Sequence, residues 1–285
     1  MSHGPTFFPA KNYCIYCGSG NVPLTDEHIV PYSLGGSHVI RKASCHQCCK
    51  ITSKIELKIA RGLWGQPRSS YGAPTRRKKE RSKYVEVPDS ANLGIKRRVL
   101  SGDFPAALIF YRMPQAGILS GFDEDFDGSL FWKIYGIGDK DRPGAFEKTY
   151  GFKPALSFSH QPQEFGQLLL KIGYCQILTQ LERDEFEPIC LPYITGEKQN
   201  VSWLVGSDEG SVPLPDIGYS TQTSVIGYPG LLLLVGQIKL WANLEMPWYH
   251  AVVGRVTGAE KILGVLGKLG DGNQLDLKIL DTGGS

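Results

Sequence analysis

Two Cys-x-x-Cys pairs near the start of the 285-residue chain have the spacing of a metal site. The pairs are Cys14 with Cys17 and Cys45 with Cys48, and 27 residues separate them. Each short turn brings two sulfur atoms toward one ion, and four thiolates are a common ligand set for structural zinc. The four cysteines therefore predict a bound Zn²⁺ rather than four separate buried thiols. Because a segment of about fifty residues buries little apolar surface, we expect the zinc to stabilise its fold.

Three consecutive side chains between the two pairs could carry out hydrolysis. Asp26, Glu27 and His28 place two carboxylates and an imidazole just before Pro31. An imidazole that titrates near neutral pH can take a proton from water, and a carboxylate can bind a hard divalent cation. The alternative interpretation is a solvated turn of ordinary polar residues, and the flanking cysteine pairs argue against it.

The residues around this triplet predict a ββα unit. The expected elements are a strand at 24–30, a turn at 31–36, a returning strand at 37–40 and a helix at 46–61. Successive side chains of a regular strand point to opposite faces. Glu27 and His28 can therefore serve one site only if their strand is distorted, and we expect such a distortion.

The order of these motifs resembles a known nuclease family. Cys-x-x-Cys, Glu-His-Ile-Val-Pro-x-x-Leu-Gly-Gly and Cys-x-x-Cys follow one another over residues 14–60. This arrangement is similar to the HNH endonucleases of the ββα-metal (His-Me finger) class, in the zinc-bracketed subgroup. The resemblance implies that His28 is the general base and that Glu27 binds a catalytic Mg²⁺ or another divalent cation. The four cysteines would then hold a structural Zn²⁺.

Two positions depart from the family pattern. Ile40 stands where the family usually has a bracing Asn, and Cys49 stands where an Asn or His usually completes the catalytic metal site. A thiol is a poor ligand for Mg²⁺, which prefers oxygen. One consequence left open is that the unit has kept the fold and lost catalysis.

A helical projection suggests a replacement for the missing ligand. Cys49, Thr52, Ser53 and Glu56 share one face of the predicted helix. We hypothesise that Glu56, helped by Ser53, completes the divalent cation site with Glu27, and Cys49 belongs to the same candidate set. An exposed helix acid that pairs with neighbouring lysines explains Glu56 equally well.

The positive charge of the chain is concentrated near this unit. Residues 1–100 contain 17 Lys and Arg against 6 Asp and Glu, whereas the remainder contains 14 against 22. A basic half of this kind is typical of a nucleic-acid-binding protein, although a charged, solvated surface is the alternative. DNA is the expected partner, and RNA remains open. The candidate phosphate-binding residues are Lys50, Lys54, Arg61, Arg76, Arg77, Lys78, Lys79, Arg81 and Lys83.

The chain divides into four predicted segments, and its fold class is α+β. They are a zinc-stapled ββα finger at 1–62, a basic Gly/Pro-rich linker or arm at 63–92, a larger α+β domain with antiparallel strands at 93–260, and a Gly-rich tail at 261–285. Within the third segment we expect strands at 106–112 and 130–135, a helix at 164–181 and a hairpin of 231–241 with 248–256. Cys175 and Cys190 belong to no motif, and we expect both to be small buried hydrophobic residues. No transmembrane or signal-peptide pattern is present, so we expect a cytoplasmic protein without a membrane partner.

Three functional hypotheses follow. The first is a metal-dependent endonuclease that hydrolyses DNA, which the family resemblance places in bacterial restriction or phage defence. The second is a catalytically inactive zinc-finger protein that binds nucleic acid. The third assigns the main role to the larger domain, which would bind a small molecule or a partner that licenses the finger.

Overall fold

The computed structural model describes residues 4–70, 82–209, 212–214, 218–270 and 276–279. Five of the basic residues proposed to contact nucleic acid lie outside the described residues, namely Arg76, Arg77, Lys78, Lys79 and Arg81.

The N-terminal unit is a three-stranded sheet with a helix beside it. Its elements are β1 (Thr6–Phe8), β2 (Leu24–His28), β3 (His38–Cys45) and α1 (His46–Lys58). Strands β2 and β3 are antiparallel, and β1 adds to the other edge of β3 in parallel. The predicted ββα unit is confirmed, with β1 as a strand that the sequence pattern did not indicate.

The pairing of β2 with β3 is irregular just before Glu27. Asp26 alone lies opposite residues 41–43 of β3, so the extra residues of the bulge belong to β3, whereas Glu27 and His28 pair regularly with Ile40 and Val39. The Asp26 carboxylate accepts a hydrogen bond of 2.9 Å from the backbone N–H of Lys42 on the opposite strand. The turn that follows β2 needs glycine, because a Cβ on Gly36 would lie 1.7 Å from the carbonyl oxygen of Val30.

The segment predicted to be a linker contributes to the core. Helix α1 continues into a π-helical turn (Ile59–Leu63) and then α2 (Gly65–Ser70). Leu63 and Trp64 are fully buried, and the Trp64 indole donates a hydrogen bond of 2.6 Å to the carbonyl of Ile109. The prediction of a linker or arm at 63–92 was therefore wrong at Leu63 and Trp64, because the glycine and proline content of the segment does not show that these two side chains are buried.

A small subdomain follows. It contains the antiparallel pair β4 (Tyr84–Asp89) and β5 (Asn92–Leu100), the antiparallel pair β6 (Leu108–Arg112) and β7 (Lys133–Ile137), and α3 (Arg142–Tyr150). Val87, Val99, Phe104 and Phe146 form part of a separate apolar cluster between the first hairpin and α3. The hairpin begins at Tyr84, inside the segment predicted to be a linker or arm. That part of the segment therefore belongs to a β-hairpin and is not a connection between domains.

The larger domain is a twisted sheet covered by a long helix. Its elements are α4 (Pro162–Ile177), α5 (Leu191–Thr195), β8 (Val205–Ser207), β9 (Tyr219–Tyr228), β10 (Leu231–Leu240), β11 (Tyr249–Thr257), α6 (Ala259–Gly270) and β12 (Asp276–Ile279). The strand order is β12-β9-β10-β11-β8, and α4 packs on β10 and β11. The predicted hairpin is confirmed as β10 and β11.

The segment predicted to be a tail contains regular structure. Helix α6 runs to Gly270 with Val265 and Leu269 buried, and β12 pairs in parallel with β9. The apolar residues of α6 recur at spacings of three and four, which is the signal of an amphipathic helix. The high glycine content of the segment obscured that signal.

One continuous core joins the finger to the larger domain. Helix α4 supplies the contact: the Tyr174 hydroxyl donates to the carbonyl of Ile15 at 2.7 Å, and Tyr16 lies 3.6 Å from the Cys175 sulfur. Cys175 and Cys190 are buried as predicted. The finger therefore folds against α4 instead of standing apart. Across the described ranges, no helix has the length and apolarity to cross a membrane.

Candidate metal centre and cleft

The four cysteines of the two Cys-x-x-Cys pairs converge. Their sulfur atoms all lie within 4.8 Å of one another, a spacing that could hold a metal ion. Gly18, at φ 81°, closes the first turn by donating its N–H to the carbonyl of Cys14 at 2.8 Å. Cys45 ends β3 and caps α1, because its sulfur accepts from the backbone N–H of Cys48. The corner between β3 and α1 thus positions the second pair.

The thiols of this cluster differ in their acidity. Burial raises the pKa of Cys14 and of Cys48. Burial also acts on Cys17, but hydrogen bonds from the side chain and backbone of Ser19 outweigh it and lower its pKa to about 6. A metal ion replaces the protons of such thiols when it binds. Cys49 is not part of the cluster, and its sulfur lies 3.8 Å from the Ser53 hydroxyl.

Two carboxylates of the finger meet a lysine of the larger domain. Lys171, on α4, places its Nζ 2.8 Å from Glu27 Oε1 and 3.0 Å from Glu56 Oε1. The side chain of Lys171 is 1% exposed, that of Glu27 is 6% exposed and that of Glu56 is 24% exposed. The structure therefore brings Glu27 and Glu56 together, as the helical projection suggested, around a cation that the projection could not show.

The main chain completes the surroundings of this ammonium group. Lys171 donates a short hydrogen bond to the carbonyl of His28 and another of 3.3 Å to the carbonyl of Ile29. Burial opposes its charge, but Glu27 and Glu56 outweigh burial and raise the pKa of Lys171. Burial, together with the neighbouring Glu56, raises the pKa of Glu27, while Lys171 opposes that rise. Two carboxylates thus share one positive charge.

His28 follows Glu27 at the end of β2. It is half-buried, and its ring meets the ring of Tyr32 edge-on at 6.1 Å between centroids. Both residues border a cleft of about 530 Å³. The lining of the cleft is Thr25, Asp26, Glu27, His28, Tyr32, Ser33, Cys49, Thr52, Ser53, Glu56, Leu57, Ala60, Arg61 and Arg68. The imidazole and both carboxylates therefore open into one space, and Lys171 lies behind the carboxylates.

The donor set of the cleft suits a hard divalent cation. Glu27, Glu56 and Ser53 present oxygen atoms, which Mg²⁺ prefers, whereas Cys49 offers only a thiol. Ile40 supplies no donor: it is fully buried and pairs with Glu27 across the sheet. The carbonyls after Glu27, those of His28 and Ile29, accept hydrogen bonds from Lys171.

Two arginines supply positive charge at the cleft. Arg61 lines it, as does Arg68, which donates to the carbonyls of Ser33 and Ala60 at 2.9 and 3.0 Å. Lys50 and Lys54 are exposed on α1 and are not part of the lining.

A second basic surface lies on the hairpin of β4 and β5. Lys83 is exposed just before β4, and Arg98 on β5 stacks over the ring of Tyr84 at 4.2 Å. Lys96 and Arg97 are exposed on the same strand. The predicted basic residues that are described therefore fall into two groups, one at the cleft helix and one on this hairpin.

Sequence reasoning missed Arg68, Tyr32 and Lys171. Arg68 sits in the segment assigned to a linker, and Tyr32 sits in the turn after the triplet. Lys171 is the one site residue that α4 provides, and a signal for it exists. It interrupts the apolar run Leu168-Leu-Leu-Lys-Ile172, where a lysine without a partner would be costly to bury.

Comparison with known proteins identifies the N-terminal unit. Residues 14–61 match the family model described as HNH endonuclease. This range contains both cysteine pairs, strand β2 and all of α1. No curated protein and no solved structure matches the chain.

Proposed function

Because residues 14–61 form an HNH endonuclease unit, for which the substrate is a nucleic acid, we propose that this protein is a metal-dependent endonuclease that hydrolyses phosphodiester bonds in DNA. The observation that carries the proposal is the cleft, where the imidazole of His28, two carboxylates and two arginines meet. Family resemblance makes bacterial restriction or phage defence the proposed setting.

Each group in the cleft has a proposed task. His28 takes the proton from the attacking water, and it borders the cleft beside Tyr32. Glu27 and Glu56, with Ser53, hold a divalent cation such as Mg²⁺, which supplies charge stabilisation to the reacting phosphate. Arg61 and Arg68 bind the phosphates on either side.

The proposed metal of the cysteine cluster is Zn²⁺. Four thiolates in two short turns are the ligand set of a closed structural site. Such a site has no open position for water or substrate, so the cluster supports the fold of β3 and α1 and does not take part in the reaction.

A second candidate function is a zinc-stabilised unit that binds nucleic acid without cutting it. The observation that favours it is Lys171, whose ammonium group already contacts both carboxylates. Ile40 and Cys49, at positions where the family has donors, point the same way. The two candidates share the basic surfaces and differ only in the use of the cleft.

Cleavage of a plasmid by His28→Ala distinguishes them. We expect the variant to cut about 10² to 10⁴ times more slowly than the wild type, which is the usual contribution of a general base. Its zinc content and its affinity for DNA should not change. His46→Ala is the matched control, because His46 is exposed on α1 and does not line the cleft.

The opposite results are equally clear. Equal rates for His28→Ala and the wild type would remove His28 from the mechanism. A wild-type protein that binds DNA but does not nick it with Mg²⁺, Mn²⁺ or Ni²⁺ would support the binding function instead. Normal cleavage by Glu56→Ala would show that Glu56 is not a ligand of the catalytic cation.

A further inference from the structure

Lys171 is an unusual residue for the middle of a core helix. Helix α4 buries nearly its whole length, and its only other charged side chain is Glu164 in the first turn. A buried ammonium group is strongly destabilising unless it is paired and hydrogen-bonded. Among the described residues, its ion-pair and hydrogen-bond partners lie in the finger, at Glu27, His28, Ile29 and Glu56. The larger domain therefore places one positive charge inside the nuclease unit.

The atoms around Lys171 Nζ are oxygen atoms of the types that bind metal cations. Two carboxylate oxygens, at 2.8 and 3.0 Å, and the carbonyl oxygens of His28 and Ile29 surround Lys171 Nζ. Hard divalent cations are bound by the same types of oxygen. The ammonium group thus makes direct contacts with the two acids proposed to bind the catalytic cation.

The position of Lys171 excludes a direct role in cleavage. It is 1% exposed and does not line the cleft, so it does not reach a bound phosphodiester. Its effect must pass through Glu27 and Glu56. Glu27, Glu56 and the Lys171 ammonium group together present a net charge of −1 to an approaching divalent cation. Without the ammonium group, the two carboxylates would present a charge of −2. The ammonium group also engages one oxygen of each acid.

We infer that Lys171 is a built-in counter-cation that competes with the divalent cation for Glu27 and Glu56. Through it, the larger domain sets the affinity of the nuclease cleft for its metal. This inference rests on the proposed function in one respect, namely that these two acids bind a divalent cation. It makes Lys171 a positioning residue that holds the acids together when the divalent cation is absent.

Titration of the full-length, zinc-loaded protein with Mn²⁺ tests the inference. Removal of a unit charge at contact distance should tighten Mn²⁺ binding by Lys171→Met roughly tenfold to a thousandfold. Calorimetry and the electron paramagnetic resonance of free Mn²⁺ measure the affinity. Mn²⁺ should also raise the thermal unfolding midpoint of the variant more than that of the wild type. Neither readout requires cleavage.

Two further variants locate the effect. Lys58→Met is the matched control, because Lys58 forms an exposed ion pair with Glu164 between the same two helices and does not line the cleft. Its Mn²⁺ affinity should equal that of the wild type. Adding Glu56→Gln to Lys171→Met should abolish the gain.

Every outcome decides the inference. Equal or weaker Mn²⁺ binding by Lys171→Met overturns it and leaves Lys171 as a purely structural contact. If the variant is unfolded without Mn²⁺ and folds with it, the inference is supported, whereas a variant unfolded in both states contradicts it. A wild type that never cleaves DNA refutes the nuclease proposal alone, because the tighter Mn²⁺ binding by Lys171→Met would still be observed.

Discussion

The cysteine cluster and the acid pair of Glu27 and Glu56 are the two proposed cation sites of the finger, and they are constructed differently. All four ligands of the cluster come from residues 14–48, and two short turns fix their geometry. The acid pair comes from β2 and α1, but its arrangement depends on Lys171, which lies 143 positions beyond His28 in the chain. The cysteine cluster is therefore a local site, built from residues near one another in sequence. The acid pair is a tertiary site, because it depends on a contact with a distant helix.

The difference has an energetic consequence. A thiolate cluster supplies its own stabilisation when the metal binds, because metal affinity and folding are coupled. Two carboxylates without a cation repel each other, and burial of Glu27 adds a desolvation penalty. The acid pair therefore needs a resident positive charge in order to fold before any divalent cation arrives, and α4 provides it.

The largest expected effect comes from breaking the local site. Cys45→Ser removes a thiolate of the cluster and leaves a hydroxyl that can still cap α1, so we expect loss of the zinc and unfolding of residues 14–61. Structural zinc in small modules contributes about 10 kcal/mol or more, which is comparable with the whole stability of a domain. Elemental analysis and near-ultraviolet circular dichroism measure both changes. Cys49→Ser, one residue past the cluster, should keep its zinc. A Cys45→Ser protein with one tightly held zinc would contradict the assignment.

The tertiary site should respond less strongly but clearly. Lys171→Met leaves Glu27 buried without its partner, and breaking a buried ion pair on one side costs about 3–5 kcal/mol of unfolding free energy. Urea denaturation measures the loss. The double variant Glu27→Gln/Lys171→Met removes both charges and should recover part of it. No recovery in the double variant would mean that Lys171 stabilises the protein by packing and not by its charge.

Moving α4 should disturb the tertiary site and spare the local one. Gly236 on β10 faces Gly173 of α4 so closely that a Cβ there would lie 2.4 Å from the Gly173 Cα. Gly236→Ala should push α4 from the sheet at a cost of about 1–3 kcal/mol. We expect a lower unfolding midpoint, altered Mn²⁺ affinity and normal zinc content. Gly227→Ala, on the adjacent strand with no atom within 4 Å of the new Cβ, is the control. Loss of zinc in Gly236→Ala would show that the two sites are not separable.

The same contrast explains what the sequence could reveal. The cysteine spacing and the shared helix face of Cys49 and Glu56 follow from local periodicity, and the structure brings the four cysteines together and places Cys49 and Glu56 at one cleft. Lys171 could not be assigned to the site, because no local spacing tells which distant helix packs on α1.

The predicted segment limits differ from the structure for a related reason. Trp64 was assigned to a linker by its glycine and proline neighbours, yet it packs edge-on against Phe165 of α4 at 5.8 Å between ring centroids. Composition describes a segment on its own, whereas burial depends on what packs against it. Segment limits drawn from composition therefore failed where the finger meets α4.

The smallest expected effect is at the exposed end of the same helix pair. Lys58 and Glu164 join α1 to α4 at 2.5 Å, but the Lys58 side chain is 46% exposed. Water solvates the Lys58 ammonium group, and Glu164, at 21% exposed, keeps some contact with water. Lys58→Met should therefore cost about 1 kcal/mol of unfolding free energy, well below the cost of Lys171→Met. The loss should shrink further in 1 M salt, where such pairs are screened. A cost near that of Lys171→Met would mean that the α1–α4 contact as a whole is fragile, and that burial does not set Lys171 apart.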